Sequence, residues 1–266
     1  MKNYYNFRTA LRYDLSYQSK IKDKSIFPNF FFYLRVFVAI LQGAWLAKKR
    51  KFNESTWAET SLKMIEAAEA VGGQFYINGL QNISKTFNRP VVFMANHMST
   101  LENFCLPVIL LSFKNITFVV KKELLTYPIF GHIMKATNPV ALNRLNPRED
   151  LQTMMADCSK KLKQGISIII FPQHTRRDKI IPSQFNSIAV KIATANNVPI
   201  IPIALKTDFW ANGKRLKDFG KINPNKKIHI AFGQPIKMST NPSAAEQKIT
   251  HNQAVDFIVA CHKQWQ

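Results

Sequence analysis

The sequence predicts an α/β fold, a mostly parallel sheet flanked by helices, preceded by an N-terminal helical membrane-associating segment. Three observations predict it. Short apolar runs without polar alternation, such as "VVFMA" and "ISIIIF", suit strands buried on both faces. Helical stretches alternate with these runs, as parallel strands joined by crossovers require. Residues 30–47 are apolar almost throughout.

Taken in order, residues 1–25 mix aromatic and basic side chains, among them Tyr4, Tyr5, Phe7, Arg8, Arg12 and Tyr13. Next comes "PNFFFYLRVFVAILQGAWLAKKRK". Asn29 is placed to cap this helix behind Pro28, and Arg35, Gln42 and Lys49 fall on one stripe, two turns apart. Eighteen helical residues reach roughly 27 Å, just short of a ~30 Å hydrocarbon core. The readings are an embedded or interfacial anchor, a spanning helix, or a helix packed on the domain. A cleaved signal peptide is not expected, because the region before the apolar run is too long and Trp45 spoils a small-residue cleavage site. Lys48, Lys49, Arg50 and Lys51 suit an anionic, cytoplasmic membrane face.

Thr56 and Glu59 then fit a capping box, Leu62, Ile65 and Ala68 give a helical face, and Gly72-Gly73 stop it. Strands follow at "QFYINGL", "VVFMA", "ITFVV", "PVALN", "ISIIIF", "PIIPIAL" and "KIHIAFG". Helices are expected over residues 99–112, 124–135, 147–164, 187–196 and from 243 onward. The expected division is an N-terminal region, residues 1–73, and an α/β domain, residues 74–266.

A hydrophobic content of 46% with 20% charged residues in 266 residues supports a real core. Thirty-seven Lys plus Arg against sixteen Asp plus Glu give a net charge of +21. Such an excess implies an anionic partner: nucleic acid, anionic lipid or a phosphorylated substrate. Cys105, Cys158 and Cys261 are far apart, with no metal or CxxC spacing, and read as isolated thiols. No metal or resident cofactor is expected.

The chemistry is expected in "NHMSTLE", residues 96–102, where a buried strand ends in Asn96-His97. If Ser99 caps the next helix, Glu102 stands at its third position, which is a capping box. A carboxylate there also points back toward the helix start, where His97 lies. Such a carboxylate would fix the imidazole tautomer and leave the other ring nitrogen free as a base. The N–H groups at the helix start could hold an oxyanion or a phosphate. A strand-end histidine is also often structural, so its neighbours decide.

"NHMSTLE" resembles the first motif of the glycerolipid acyltransferases, the 1-acylglycerol-3-phosphate O-acyltransferase family, written Asn-His, four residues, Asp. "YPIFG" followed by "NPVALNR" is similar to their second block, "IIIFPQHTRR" to the third (Phe-Pro-Glu-Gly-Thr-Arg) and "VPIIPIAL" to the fourth. These blocks run in order over about residues 74–235. The departures are Glu102 for Asp, Gln173 for Glu, His174 for Gly, and Asn143 where an acid often precedes Arg144. The resemblance implies a membrane-associated enzyme of phospholipid synthesis or remodelling. It would move an acyl group from acyl-CoA or acyl carrier protein to a lysophospholipid hydroxyl, most directly 1-acylglycerol-3-phosphate. His97 would be the base and Glu102 its partner. Arg144 and Arg176 would bind the acceptor phosphate, beside Thr175 and the block Phe171, Pro172 and Gln173. Arg177 and Lys121 are weaker candidates. No acyl-enzyme nucleophile is expected, and no nucleic-acid partner. Two other readings stay open. Lipid A lauroyl/myristoyl transferases also carry His, four residues, Glu. A basic protein could instead bind nucleic acid or anionic membrane without catalysis.

Overall fold

The structure, a computed structural model, describes residues 3–20, 23–173 and 175–265. His174, one of the departures noted above, lies outside the described residues. The centre of the molecule is an eight-stranded sheet. In chain order its strands are β1 (Tyr17–Gln18), β2 (Phe75–Asn78), β3 (Val92–Ala95), β4 (Ile116–Lys121), β5 (Val140–Leu142), β6 (Ser167–Ile170), β7 (Ile200–Lys206) and β8 (Ile228–Phe232). Their order in space is β1-β2-β8-β7-β3-β6-β4-β5. From β7 to β5 every pairing is parallel; β7 and β8 pair antiparallel, as do β1 and β2. The mostly parallel α/β architecture expected from the sequence is therefore present.

Side-chain alternation explains why the central strands read as unbroken apolar runs. Phe93, Ile169, Ile201 and Ile203 point into one core layer, together with residues of α1 (Tyr4–Asp14), α2 (Pro28–Lys48), α3 (Glu54–Glu69) and α5 (Leu101–Leu110). Met94, Ile168, Ile170 and Ile200 point the other way, onto α7 (Pro147–Lys163), α8 (Ile188–Ala195) and α9 (Ala244–Gln264). Both faces are covered, so neither needs polar residues. Phe7, Leu11, Phe32 and Val36 share the first layer with the strands, so the N-terminal helices pack on the sheet.

Away from the site, helix starts differ from expectation in three places. Asn29 does not cap α2: Pro28 is the first helical residue and Asn29 Oδ1 accepts from the Ile222 N–H at 2.9 Å. The capping box of α3 is Asn53 with Thr56, not Thr56 with Glu59, because the helix starts earlier. Residues 124–135 are not one helix. A 3₁₀ turn (Lys122–Thr126) ends before Pro128, which lacks an N–H and drives Tyr127 to extended geometry, and α6 (Phe130–Ala136) follows. The strand β1 and the short helix α4 (Leu80–Ser84) had no sequence signal.

Two helices matter for the site. In α5, Pro107 interrupts the backbone ladder. The Ser61 hydroxyl enters the gap, accepting from the Val108 N–H at 2.9 Å and donating to the Phe104 carbonyl. Helix α2 buries Phe32, Val36, Ala39, Gly43 and Ala44 against the domain and exposes Phe30, Phe31, Leu34, Phe37, Leu41 and Trp45. It is long and apolar enough to cross a membrane, with 28% of its most apolar window buried.

Candidate active site

In a parallel sheet the carboxyl ends of the strands share one edge, and clefts form there. Here that edge carries His97 after β3, Phe171 to Gln173 after β6, Thr207 after β7, and Arg144 beyond β5. Asn96 fixes the first of these. Its side chain continues the ladder onto β7: Nδ2 donates to the Leu205 carbonyl and Oδ1 accepts from the Leu205 N–H, both at 2.8 Å. His262 Nε2 donates to the same carbonyl at 2.9 Å.

His97 is held from three sides. Its Nδ1 lies 2.9 Å from Glu102 Oε1, with the histidine side chain 19% exposed and the glutamate fully buried. Its ring stacks on Phe171, centroids 4.2 Å apart, and its backbone N–H donates to Gln173 Oε1 at 2.7 Å. A carboxylate on Nδ1 requires the proton there, which makes Nε2 the acceptor. Among the described residues Nε2 has no hydrogen-bond partner.

Glu102 serves two purposes at once. Its carboxylate accepts from the N–H groups of Met98 (2.6 Å) and Ser99 (3.0 Å), and from the hydroxyls of Ser99 (3.1 Å) and Thr207. Ser99 Oγ in turn accepts from the Leu101 N–H at 3.1 Å. The helix start is thus closed by a Ser99–Glu102 exchange, although Thr100 and not Ser99 occupies the cap position. Burial pushes the Glu102 carboxyl up, but the His97 hydrogen bond and charge, the Thr207 hydroxyl and the Met98 N–H together hold it below its ordinary value. It is a buried carboxylate, not a buried acid.

This corrects one expectation. The N–H groups of His97, Met98, Ser99 and Leu101 are already taken by side chains, so they do not await an oxyanion. Beside His97, Gln173 holds a buried donor that is not yet paired. It is 4% exposed, and among the described residues its Nε2 has no partner. The orientation is forced, because a backbone N–H can only donate and so must face Oε1.

Arg176 Nη1 donates to Thr100 Oγ1 and pairs with Asp218 Oδ1 at 2.8 Å. Thr175 Oγ1 accepts from Lys217 Nζ at 2.7 Å. Both partners belong to the loop 207–227 between β7 and β8, which also places Asn212 Nδ2 on the Met98 carbonyl at 2.9 Å. Helix α2 holds this loop: Trp210 Nε1 donates to Tyr33 Oη at 3.0 Å, and Tyr33 donates to the Gly220 carbonyl. Pro172 is buried between the third-block residues. Arg144 is exposed at φ 60°, three strands from β3, or roughly 14 Å at ordinary strand spacing. The Arg177 side chain is exposed while its N–H donates to the His97 carbonyl, and Lys121 is exposed at the end of β4.

Cys105 is buried and its thiol is pushed well above the usual range by burial and by Glu102, which makes it a poor nucleophile. Thr207, Asn212, Lys217 and Asp218 were not singled out in the sequence. Thr207 is the first polar residue after a buried strand, but its place beside Glu102 depends on β7 lying next to β3.

Comparison with known proteins follows the same ground. Residues 74–206 match a family model described as Acyltransferase. The 1-acyl-sn-glycerol-3-phosphate acyltransferase of Pseudomonas aeruginosa is 27% identical over 65% of this chain and 64% of its own length, so the match spans less than two thirds of that relative. The probable 1-acyl-sn-glycerol-3-phosphate acyltransferase of Mycoplasma genitalium is 26% identical over 93% of this chain and 91% of its own. The crystal structure of the 1-acyl-sn-glycerophosphate acyltransferase PlsC from Thermotoga maritima superimposes with a TM-score of 0.63, covering 91% of this chain and 97% of that one at 21% identity. At that identity the likeness concerns the fold.

Proposed function

The chain belongs to the acyltransferase family, and from that premise we propose that it is a 1-acylglycerol-3-phosphate O-acyltransferase of phospholipid synthesis. It takes a fatty acyl group from an acyl-CoA or acyl carrier protein thioester to the free hydroxyl of a lysophospholipid. The observation that carries this reading is the 2.9 Å contact of His97 Nδ1 with a fully buried Glu102, which leaves Nε2 open at the sheet edge.

In this mechanism Nε2 accepts the hydroxyl proton as the oxygen attacks the thioester carbonyl. Glu102 keeps the ring in one tautomer and stabilises the imidazolium. Collapse of the tetrahedral intermediate breaks the carbon–sulfur bond, and the imidazolium returns its proton to the thiolate. The products are an ester and a free thiol, and no acyl-enzyme forms. Gln173 Nε2, buried and without a partner among the described residues, would turn to donate to the carbonyl oxygen. Arg176 binds the acceptor phosphate by exchanging the Asp218 carboxylate for it, one anion replacing another at Nη1. Arg144, from the outer strand, supplies a second cation on the same edge. The exposed apolar face of α2 and the basic run Lys48 to Lys51 bring the enzyme to the cytoplasmic face of an anionic membrane.

The test is thiol release from acyl-CoA and from acyl carrier protein, against lysophosphatidic acid, other lysolipids and a lipid A precursor. Release with lysophosphatidic acid is expected to exceed the rest. Preference for the lipid A precursor would favour the lauroyl/myristoyl transferase reading, and binding of nucleic acid without thiol release would end the enzymatic one.

A further inference from the structure

The N-terminal aromatic and basic segment takes no part in the chemistry above, yet it helps build a second site. Tyr5, Arg8 and Arg12 fall on one face of α1 by their spacing. Arg8 and Arg12 line an open cavity of 340 Å³, together with Phe87 and Arg89 before β3 and Lys114 before β4. These segments precede parallel strands, so the cavity lies at the amino edge of the sheet, opposite His97. Its size is that of a small-molecule cleft.

Its charge is one-sided. Three guanidinium groups and one ammonium line it, and among the described residues no carboxylate does. Arg12 is preset: its Nε donates to the Ser112 carbonyl and its guanidinium lies 5.6 Å from the centre of the Phe87 ring, which leaves both terminal nitrogens available. Lys114 is anchored by the Thr86 and Arg89 carbonyls, which use two of its three donors. Burial, with Arg89 adding to it, lowers Lys114 to about 8, so it stays protonated at neutral pH. Arg8 and Arg89 make no ion pair among the described residues. Cations gathered this closely repel one another, and a compact polyanion relieves that cost. The cavity admits a headgroup-sized anion, and the exposed Phe87 at its rim, with Tyr5 and Tyr13 exposed along α1, suits an apolar neighbour.

We infer that this amino-edge cavity is a phosphate-binding site, separate from the catalytic edge, which takes a phosphomonoester either free or as the headgroup of an anionic lipid. The inference does not depend on the catalytic reading.

Two measurements on the full-length chain test it and separate the two sources. The first is the rise in unfolding temperature on adding inorganic phosphate. The second is sedimentation with phosphatidylcholine vesicles with and without phosphatidic acid. The variant is Arg8→Gln/Arg89→Gln, which spares the anchoring bonds of Arg12 and Lys114. Lys248→Gln/Lys263→Gln, on α9, which lines no part of the cavity, removes the same charge elsewhere. Loss of two forks should weaken binding by about tenfold or more. If phosphate stabilises the wild type and Arg176→Gln but not the cavity variant, the ligand is free phosphate. If only the phosphatidic acid dependence is lost, and the α9 variant keeps it, the ligand is a lipid headgroup. If the cavity variant matches the wild type in both measurements, or loses no more than the α9 variant, the inference is overturned.

Discussion

At the scale of single residues, Glu102 shows how one side chain can satisfy two readings of the same sequence. The spacing Ser99 to Glu102 predicted a helix-start exchange, and the spacing His97 to Glu102 predicted an imidazole partner. The carboxylate makes both contacts, because it has enough lone pairs for the Met98 and Ser99 N–H groups as well as for Nδ1. Glu102→Gln should therefore lower thiol release on the order of 10²–10⁴-fold, since an amide can present its N–H to Nδ1 and favour the wrong tautomer. A helix-capping role alone would leave the rate nearly intact. The same change should alter acid stability. The folded carboxyl lies below its ordinary value, so the carboxylate stabilises the fold at pH values above that ordinary value. That contribution is lost as the pH falls through the folded value, and Glu102→Gln should flatten this limb of an unfolding-temperature profile. What could not be read at this scale was Thr207. Its hydroxyl reaches Glu102 only because two strands distant in sequence are neighbours in space.

At the scale of elements, the strands were easier to read than the helix starts. Buried strands such as Ser167–Ile170 announce themselves by composition, because both faces must be apolar. Helix starts depend on which of several polar residues wins a local competition, and Asn53 prevailed over Thr56 as the cap while Asn29 was drawn to Ile222. The proline in α5 is explained only by α3. Ser61→Ala should leave the Val108 N–H and the Phe104 carbonyl without their partner in a buried position. We expect a loss of about 1–3 kcal/mol, read as a lower denaturant midpoint with an unchanged slope. The loop 207–227 carries the other element-scale prediction. Asp218 pairs with the Arg176 Nη1 that the acceptor phosphate would use. Asp218→Asn should lower the KM for lysophosphatidic acid while changing kcat little, and a raised KM would show instead that Asp218 positions Arg176 for substrate.

At the scale of the whole molecule, the net charge of +21 and the apolar face of α2 act on the same event. Charge governs approach to an anionic surface and is screened by salt, whereas apolar burial is not. Binding to vesicles containing phosphatidylglycerol should fall as salt is raised, and a residue of binding should persist that Leu34→Asp/Phe37→Asp abolishes. Charge and apolar length were plain in the sequence. The arrangement of α2 was not, since length and composition alone do not say which face packs on a protein. The strand order, with β7 beside β3 and β8 reversed, was equally hidden, because it is decided by contacts far apart in the chain.

The most direct measurement is thiol release from acyl-CoA in the presence of lysophosphatidic acid, comparing His97→Ala with the wild type at matched unfolding temperature. The expected result is a fall of at least about 10²-fold with the fold intact. A folded His97→Ala protein that kept half of the wild-type rate would show that the proton leaves by another route, and the imidazole at the end of β3 would be structural.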